Sequence, residues 1–133
     1  MLLRSYSAVM PVSCRILRSV VFLESTGKPT FAEWRVAVDA FLADPDYRPG
    51  MSVVHDWREA QDVPSPIEIQ KRAAYTAGRL SSSHSTRWAL VVRGVTSYGM
   101  ARMAEALMAD SAVHVRMFRD PTAAEAWVRA PEA

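Results

Sequence analysis

The chain has 133 residues, of which 50% are hydrophobic and 23% are charged, and these values predict one globular domain over residues 1–133 with a packed core. Sixteen basic and fourteen acidic residues nearly balance, and the scattered basic residues exclude the basic stripe of a nucleic-acid-binding protein. The single cysteine excludes a disulfide within the chain, and no run approaches the ~18 apolar residues of a membrane span, so we expect a cytoplasmic protein.

The first elements in chain order are a predicted β-hairpin and a helix. Residues 4–10 are a candidate strand, residues 11–13 a turn, and residues 15–25, rich in Val, Ile, Leu and Phe, a second and more buried strand. Apolar residues at helical spacing then predict a helix over residues 30–44.

The remaining chain alternates between strand and helix. Its pattern first predicts a strand over residues 51–56, a loop from Trp57 and a helix opening at Ser65–Glu68. A strand over residues 87–94 and a helix opening at Ser97–Met100 follow. The last predicted elements are a strand over residues 113–118 and a helix opening at Asp120–Thr122. This β-β-α-β-α-β-α-β-α order predicts an α/β fold, with a mixed, mostly parallel five-stranded sheet and helices on both faces.

The third helix differs from the others at its start. The other three are predicted to carry a carboxylate in the first turn: Glu33, Glu68 and Glu125. The third offers Thr96 or Ser97 as its cap and continues into Gly99 without an acid. Free amide donors at such a start bind anions, and glycine lets a ligand approach closely. Alternatively, Gly99 makes room for a packed neighbouring element.

Ligands of parallel α/β sheets bind outside the carboxyl ends of the strands. Nine residues are predicted at this edge: Asp56, Trp57, Arg58, Arg93, Ser97, Tyr98, Gly99, Arg119 and Asp120. Such a set can bind a carboxylate or phosphate through arginine. Structural roles are the alternatives: Asp56 pairs with Arg93 or caps a loop, and Asp120 is the N-cap of the last helix. Trp57 is a lid, a dimer contact or a core anchor.

No complete catalytic set is recognisable in the sequence. His55 and His114 fall in predicted strands and His84 falls in a loop, so the histidines do not form a metal-ligand cluster. Ser97, His55 and Asp56 fail as a triad, because adjacent residues of a strand point to opposite faces. We therefore predict no metal, no cofactor and no enzymatic activity.

Four stretches carry a family resemblance: a Gly-x-x-Thr helix start over Gly27–Trp34, an aspartate ending a strand in Val54–Asp56, the helix opening Tyr98–Arg102 and the strand end Phe118–Asp120. On these stretches, and over about residues 5–130, the chain resembles the bacterial SpoIIAA-like proteins of the STAS and SEC14-like group. The resemblance implies a mixed sheet with packed helices, as in anti-sigma-factor antagonists and lipid-carrying SEC14-like domains. Antagonists carry a phosphorylatable serine in an Asp-Ser-Ser-Gly type sequence after the third strand, and residues 55–60 lack that motif.

We therefore expect a non-catalytic STAS/SpoIIAA-like domain that binds another protein, or a second copy of itself as a homodimer. The expected working surface is the Asp56–Trp57 loop together with the helix start Ser97–Met100. The alternative function is a carrier of a small anionic or lipid-like ligand at the carboxyl edge of the sheet. Such a ligand would lie against the second helix, where Ala73 and Ala77 predict a face of small residues.

Overall fold

The structure is a computed structural model that describes residues 10–80 and 83–131. Its elements in chain order are β1 (Val12–Leu17), β2 (Val20–Gly27), α1 (Phe31–Ala43), β3 (Ser52–Ala60), α2 (Pro66–Arg79), β4 (Thr86–Val91), α3 (Val95–Leu107), β5 (Val113–Phe118) and α4 (Pro121–Arg129). The strands form one sheet in the order β1-β2-β3-β4-β5, with β1 antiparallel to β2 and the other pairs parallel. The predicted mixed, mostly parallel five-stranded sheet is confirmed.

The hairpin lies further along the chain than predicted. The stretch 15–25 is not one strand, because Arg18 and Ser19 form a two-residue turn between β1 and β2. Both turn residues have positive φ, 48° and 66°, which is the type I′ geometry that matches the twist of paired strands. The predicted turn at residues 11–13 is wrong, since β1 begins at Val12. The predicted strand over residues 4–10 lies outside the described residues except for its last position.

Strand β3 is longer than predicted and absorbs the expected loop. It continues through Trp57 and Arg58 to Ala60, and β2 pairs with it up to Gly27 across a register shift between Glu24 and Thr26. Charged residues fit in this strand because side chains alternate between faces. The prediction of an Asp56–Trp57 loop is therefore wrong, because both residues lie within strand β3.

Side-chain caps fix the first residue of α1, α2 and α4. Helix α1 has a full capping box, in which Thr30 Oγ1 accepts from the Glu33 amide at 3.1 Å. Ser65 caps α2, and Asp120 caps α4 by accepting from the Thr122 amide at 3.0 Å, so the structural alternative for Asp120 is confirmed. The first turn of α4 contains no acid. The expectation for Glu125 is wrong, because this carboxylate instead pairs with Arg129.

The helices are divided unequally between the faces of the sheet. Helices α1, α2 and α3 cover one face, where the buried Trp34 and Phe41 belong to the larger core cluster. Helix α4 packs on the other face through Ala124 and Val128, against β3, β4 and β5. Burying each large aromatic side chain stabilises the fold by about 2–3 kcal/mol. The arrangement brings the carboxyl ends of β2–β5 and the starts of α2 and α3 to one edge.

Candidate functional site

The structure separates the predicted site residues into three environments. Asp56 and Arg58 lie on the α4 face of β3 and are partly exposed, whereas Trp57 and Ser97 are buried. The remaining residues lie at or near the surface around the start of α3: Arg93, Tyr98, Gly99 and Arg119. The predicted edge exists, but its side chains do not converge on one point.

Asp56 and Arg58 form a closed ion pair. The Arg58 Nε atom donates to Asp56 Oδ1 at 3.0 Å, and Nη2 donates to Oδ2 at 2.8 Å. The Arg58 backbone amide also donates to Oδ1, at 2.9 Å. The hydrogen bond to Asp56 raises the pKa of Arg58. The expected pairing of Asp56 with Arg93 is wrong, because Arg93 lies 3.7 Å from the exposed carboxylate of Glu59 instead.

Trp57 belongs to the core and faces the interior beside His55. Its side chain is 4% exposed, so its roles as a lid or dimer contact are wrong and its role as a core anchor is confirmed. The indole Nε1 donates to His55 Nδ1 at 3.3 Å, and the Ser25 hydroxyl lies 2.8 Å from His55 Nε2.

These contacts assign the tautomer of His55. An indole N–H can only donate, so His55 Nδ1 accepts and Nε2 carries the proton. The imidazole therefore donates to Ser25 and cannot take a proton from that hydroxyl as a general base. Burial, and secondarily the charge of Arg72, hold the pKa of His55 well below its ordinary value, so the ring is neutral. The Ser25–His55 pair thus has the geometry of a structural contact.

The sequence reasoning missed Ser25 and Arg72. Alternation along β3 places His55 and Trp57 on the same face, so a polar interior at this strand was readable. Arg72 is 7% exposed and its guanidinium carbon lies 5.1 Å from the ring centre of Trp34, a contact between distant segments that no local pattern indicates.

The start of α3 differs from the prediction in detail. The N-cap is Gly94, with φ 91°, and neither Thr96 nor Ser97 caps the helix through its side chain. The first turn does lack an acid, as predicted. Gly99 lies beyond the four free amides of the helix start. Among the described residues, no atom outside the adjoining stretch of α3 lies within 4 Å of the place where a Cβ on Gly99 would stand, so the interpretation that it makes room for a packed element is wrong.

Tyr98 and the arginines near it form the exposed part of this edge. The guanidinium carbon of Arg119 lies 5.1 Å from the Tyr98 ring centre, and that of Arg102 lies 6.0 Å from it. Val95, the first residue of α3, is 88% exposed. An open recess of about 670 Å³ lies beside it, between the starts of α2 and α3.

The face of α2 toward the sheet is more polar than predicted. Ala77 is exposed, contrary to the expectation, and Arg72 and Thr76 are buried together with Ile69. Ala73 lines a partly open pocket of about 50 Å³ between α2 and the sheet. This volume accommodates a few atoms rather than the body of a lipid.

Residues 10–80 and 83–131, the part of the chain that the structure describes, contain neither a candidate metal cluster nor a helix that could span a membrane. No group of three or more His, Cys, Asp and Glu side chains is positioned there to hold a metal ion. No helix in these ranges has both the length and the apolar character needed to cross a membrane.

The fold is similar to that of a solved structure. An uncharacterised protein of the DUF3478 family from Shewanella loihica PV-4, with a SpoIIAA-like fold, superposes with a TM-score of 0.57. The match covers 88% of this chain and 91% of that protein at 14% sequence identity. No protein-family model and no curated protein matches the sequence. The chain therefore has the SpoIIAA-like α/β fold that its sequence motifs imply.

Proposed function

We propose that the protein is a non-catalytic interaction domain that binds an acidic segment of another protein. The binding site is the α3 surface, defined here as Arg93, Val95, Tyr98 and Arg119. The observation that carries this proposal is Val95, a β-branched apolar side chain that is 88% exposed and stands at the start of α3, two residues after Arg93. Exposed apolar side chains next to tyrosine and arginine are typical of the centres of protein interfaces.

The charges of the α3 surface favour an acidic partner. Arg119 stacks on Tyr98 and has no carboxylate within ion-pair distance among the described residues. Arg93 has an exposed partner at 3.7 Å, a type of pair that contributes little and is easily exchanged. The first turn of α3 also contains no acidic residue. A carboxylate of the partner would therefore complement the positive end of that helix.

The interior supports a role without catalysis. The Ser25 hydroxyl accepts from a buried neutral imidazole, so this pair does not provide an activated nucleophile. Asp56 has both carboxylate oxygens engaged by Arg58, which leaves it without the freedom of a general acid or base. The arginines of the α3 surface, by contrast, are exposed, and the chemistry they offer is recognition.

Site-specific crosslinking tests this proposal. A photo-reactive amino acid placed at Val95 should capture a protein partner in the native host, and the same group at Arg35, exposed on α1, should not. The partner is then purified and its affinity measured. Arg119→Glu should weaken binding by about tenfold or more, because it replaces an attractive charge with a repulsive one. The matched control Arg35→Glu should bind like the unchanged protein.

Two results would refute the assignment of the binding site to the α3 surface. The purified partner binds Arg119→Glu as tightly as the unchanged protein, or crosslinks arise at Arg35 and not at Val95. Sedimentation velocity on the isolated protein distinguishes a further outcome: a dimer that Arg119→Glu dissociates would show that the partner is a second copy and not another protein.

A further inference from the structure

A recess of about 400 Å³ lies on the α4 face of the sheet. Helix α4 packs on this face against β3, β4 and β5, so within residues 10–80 and 83–131 no helix covers β1 and β2 there. The recess follows this uncovered part of the sheet, and none of the residues of the α3 surface lines it. Its volume lies within the range of about 300–1,000 Å³ that small-molecule sites have.

The floor of the recess is apolar. Val54 and Val91 are 5% and 0% exposed, and the half-buried Phe22 stands beside Val54 in the register of β2 and β3. Pro121, the first residue of α4, forms the rim on the helix side. An aliphatic group placed on this floor is removed from water, which favours its binding.

Two charged residues line the recess without an ion-pair partner. Arg15 on β1 and Glu24 on β2 are both exposed. Among the described residues, neither side chain has an oppositely charged group within ion-pair distance, so the two do not pair with each other. The guanidinium carbon of Arg15 instead lies 5.0 Å from the ring centre of Phe22, which places the cation over the apolar floor.

The register of the β1–β2 hairpin limits the distance between these charges. Arg15 is opposite Phe22. Glu24 is opposite Ser13, two positions before Arg15, so Arg15 and Glu24 are diagonal neighbours on one face of the sheet. Diagonal neighbours lie roughly 7–8 Å apart, which leaves room for a small molecule with a hydrogen bond of about 3 Å to each side chain.

The surroundings of Glu24 favour a positive charge in the ligand. Glu24 is beside Asp56 in the register of β2 and β3, and like charges on neighbouring strands destabilise a sheet. Arg58 neutralises Asp56 by binding both of its carboxylate oxygens, and it forms no ion pair with Glu24. A cation bound at Glu24 would therefore remove a repulsion that the protein alone leaves in place.

We propose that the α4-face recess, defined by Arg15, Phe22, Glu24, Val54 and Pro121, binds a free α-amino acid with an aliphatic side chain. The guanidinium of Arg15 binds the α-carboxylate, for which its planar set of donors is suited. The α-ammonium group donates to the carboxylate of Glu24, and the aliphatic side chain contacts Phe22 and Val54. This inference does not rest on the function proposed for the α3 surface.

Ligands that differ in one charge test the proposal. L-Leucine is titrated at neutral pH into the full-length ¹⁵N-labelled protein, and N-acetylleucine and leucinamide are titrated in parallel. Leucine should shift the backbone amide signals of Arg15, Phe22 and Glu24 in a saturable manner and leave that of Tyr98 in place. N-Acetylleucine lacks the positive charge and leucinamide lacks the negative charge, so each should bind about tenfold more weakly or worse.

Two substitutions at exposed positions assign the charges. Glu24→Gln removes the reason to prefer an ammonium group, so leucine should bind about tenfold more weakly and no better than N-acetylleucine. Arg15→Gln should likewise bind leucine no better than leucinamide. Arg35→Gln, exposed on α1, is the matched control and should bind leucine like the unchanged protein. A general loss of structure would not exchange the preferences of the two variants in this way.

Three results would overturn the proposal. Leucine produces no saturable shift at Arg15, Phe22 and Glu24. The unchanged protein binds N-acetylleucine and leucinamide as tightly as leucine, which would contradict recognition of both charges. Arg15→Gln and Glu24→Gln both bind leucine like the unchanged protein. Arg119→Glu should leave leucine binding unchanged, so failure of the α3 surface and failure of the α4-face recess are separate results.

Discussion

The buried imidazole of His55 makes a quantitative prediction about stability and pH. Its pKa in the folded protein lies well below the ordinary value of 6.5 that it has in the unfolded chain. Below pH 6.5 the unfolded chain therefore binds a proton that the folded protein does not, and stability falls as the pH falls. A single such group costs about 1.4 kcal/mol of unfolding free energy between about pH 7.5 and 5.5, while the folded imidazole stays neutral.

Urea denaturation at the two pH values measures this loss. His55→Gln removes the titrating group, so its stability should change by about 1.4 kcal/mol less than that of the unchanged protein over the same pH interval. His114→Gln is the control, because His114 is exposed on β5 and should retain the loss. Equal losses in the unchanged protein and in His55→Gln would refute the assignment of His55 as a buried neutral group.

Two further predictions concern the boundaries of elements. Asp120→Ala should destabilise the protein by about 1 kcal/mol through loss of the α4 cap, while Asp110→Ala, in the exposed turn after α3, should change stability by less than about 0.5 kcal/mol in thermal melts. Replacing Arg18 and Ser19 by Asn-Gly should raise the melting temperature, because both positions have positive φ and Asn-Gly is preferred in type I′ turns; a lower melting temperature would contradict the turn geometry.

The order of the elements was predictable because it depends on periodicity. Strand β4 contains a continuous apolar run, β5 begins with alternating apolar and polar residues, and α1 and α2 carry capping signals that the structure confirms. The hairpin was misplaced because its turn consists of Arg18 and Ser19, which are not typical of positive φ, whereas Pro11 nearby is a strong turn signal. The error lies in local turn chemistry, and the overall α/β order is unaffected by it.

The site at the carboxyl edge was predictable in position and not in composition. A parallel sheet brings these strand ends together, so Arg93, Tyr98 and Arg119 were correctly expected near the surface of this edge. Trp57 was misplaced because the charged residues beside it look like a loop. In the structure Asp56 and Arg58 neutralise each other on one face of β3, which leaves Trp57 free to enter the core on the other.

Arg72 shows where sequence reasoning reaches its limit. Glu68 stands four residues before it on α2, a spacing that predicts an ion pair, and the structure contains that pair. The same spacing on a solvent-exposed helix face would look identical, so the sequence does not reveal that Arg72 is buried. Its burial comes from Trp34, whose ring lies beneath the guanidinium and belongs to another helix. The buried surroundings of Arg72 therefore become visible only when α1 and α2 are packed together on the sheet.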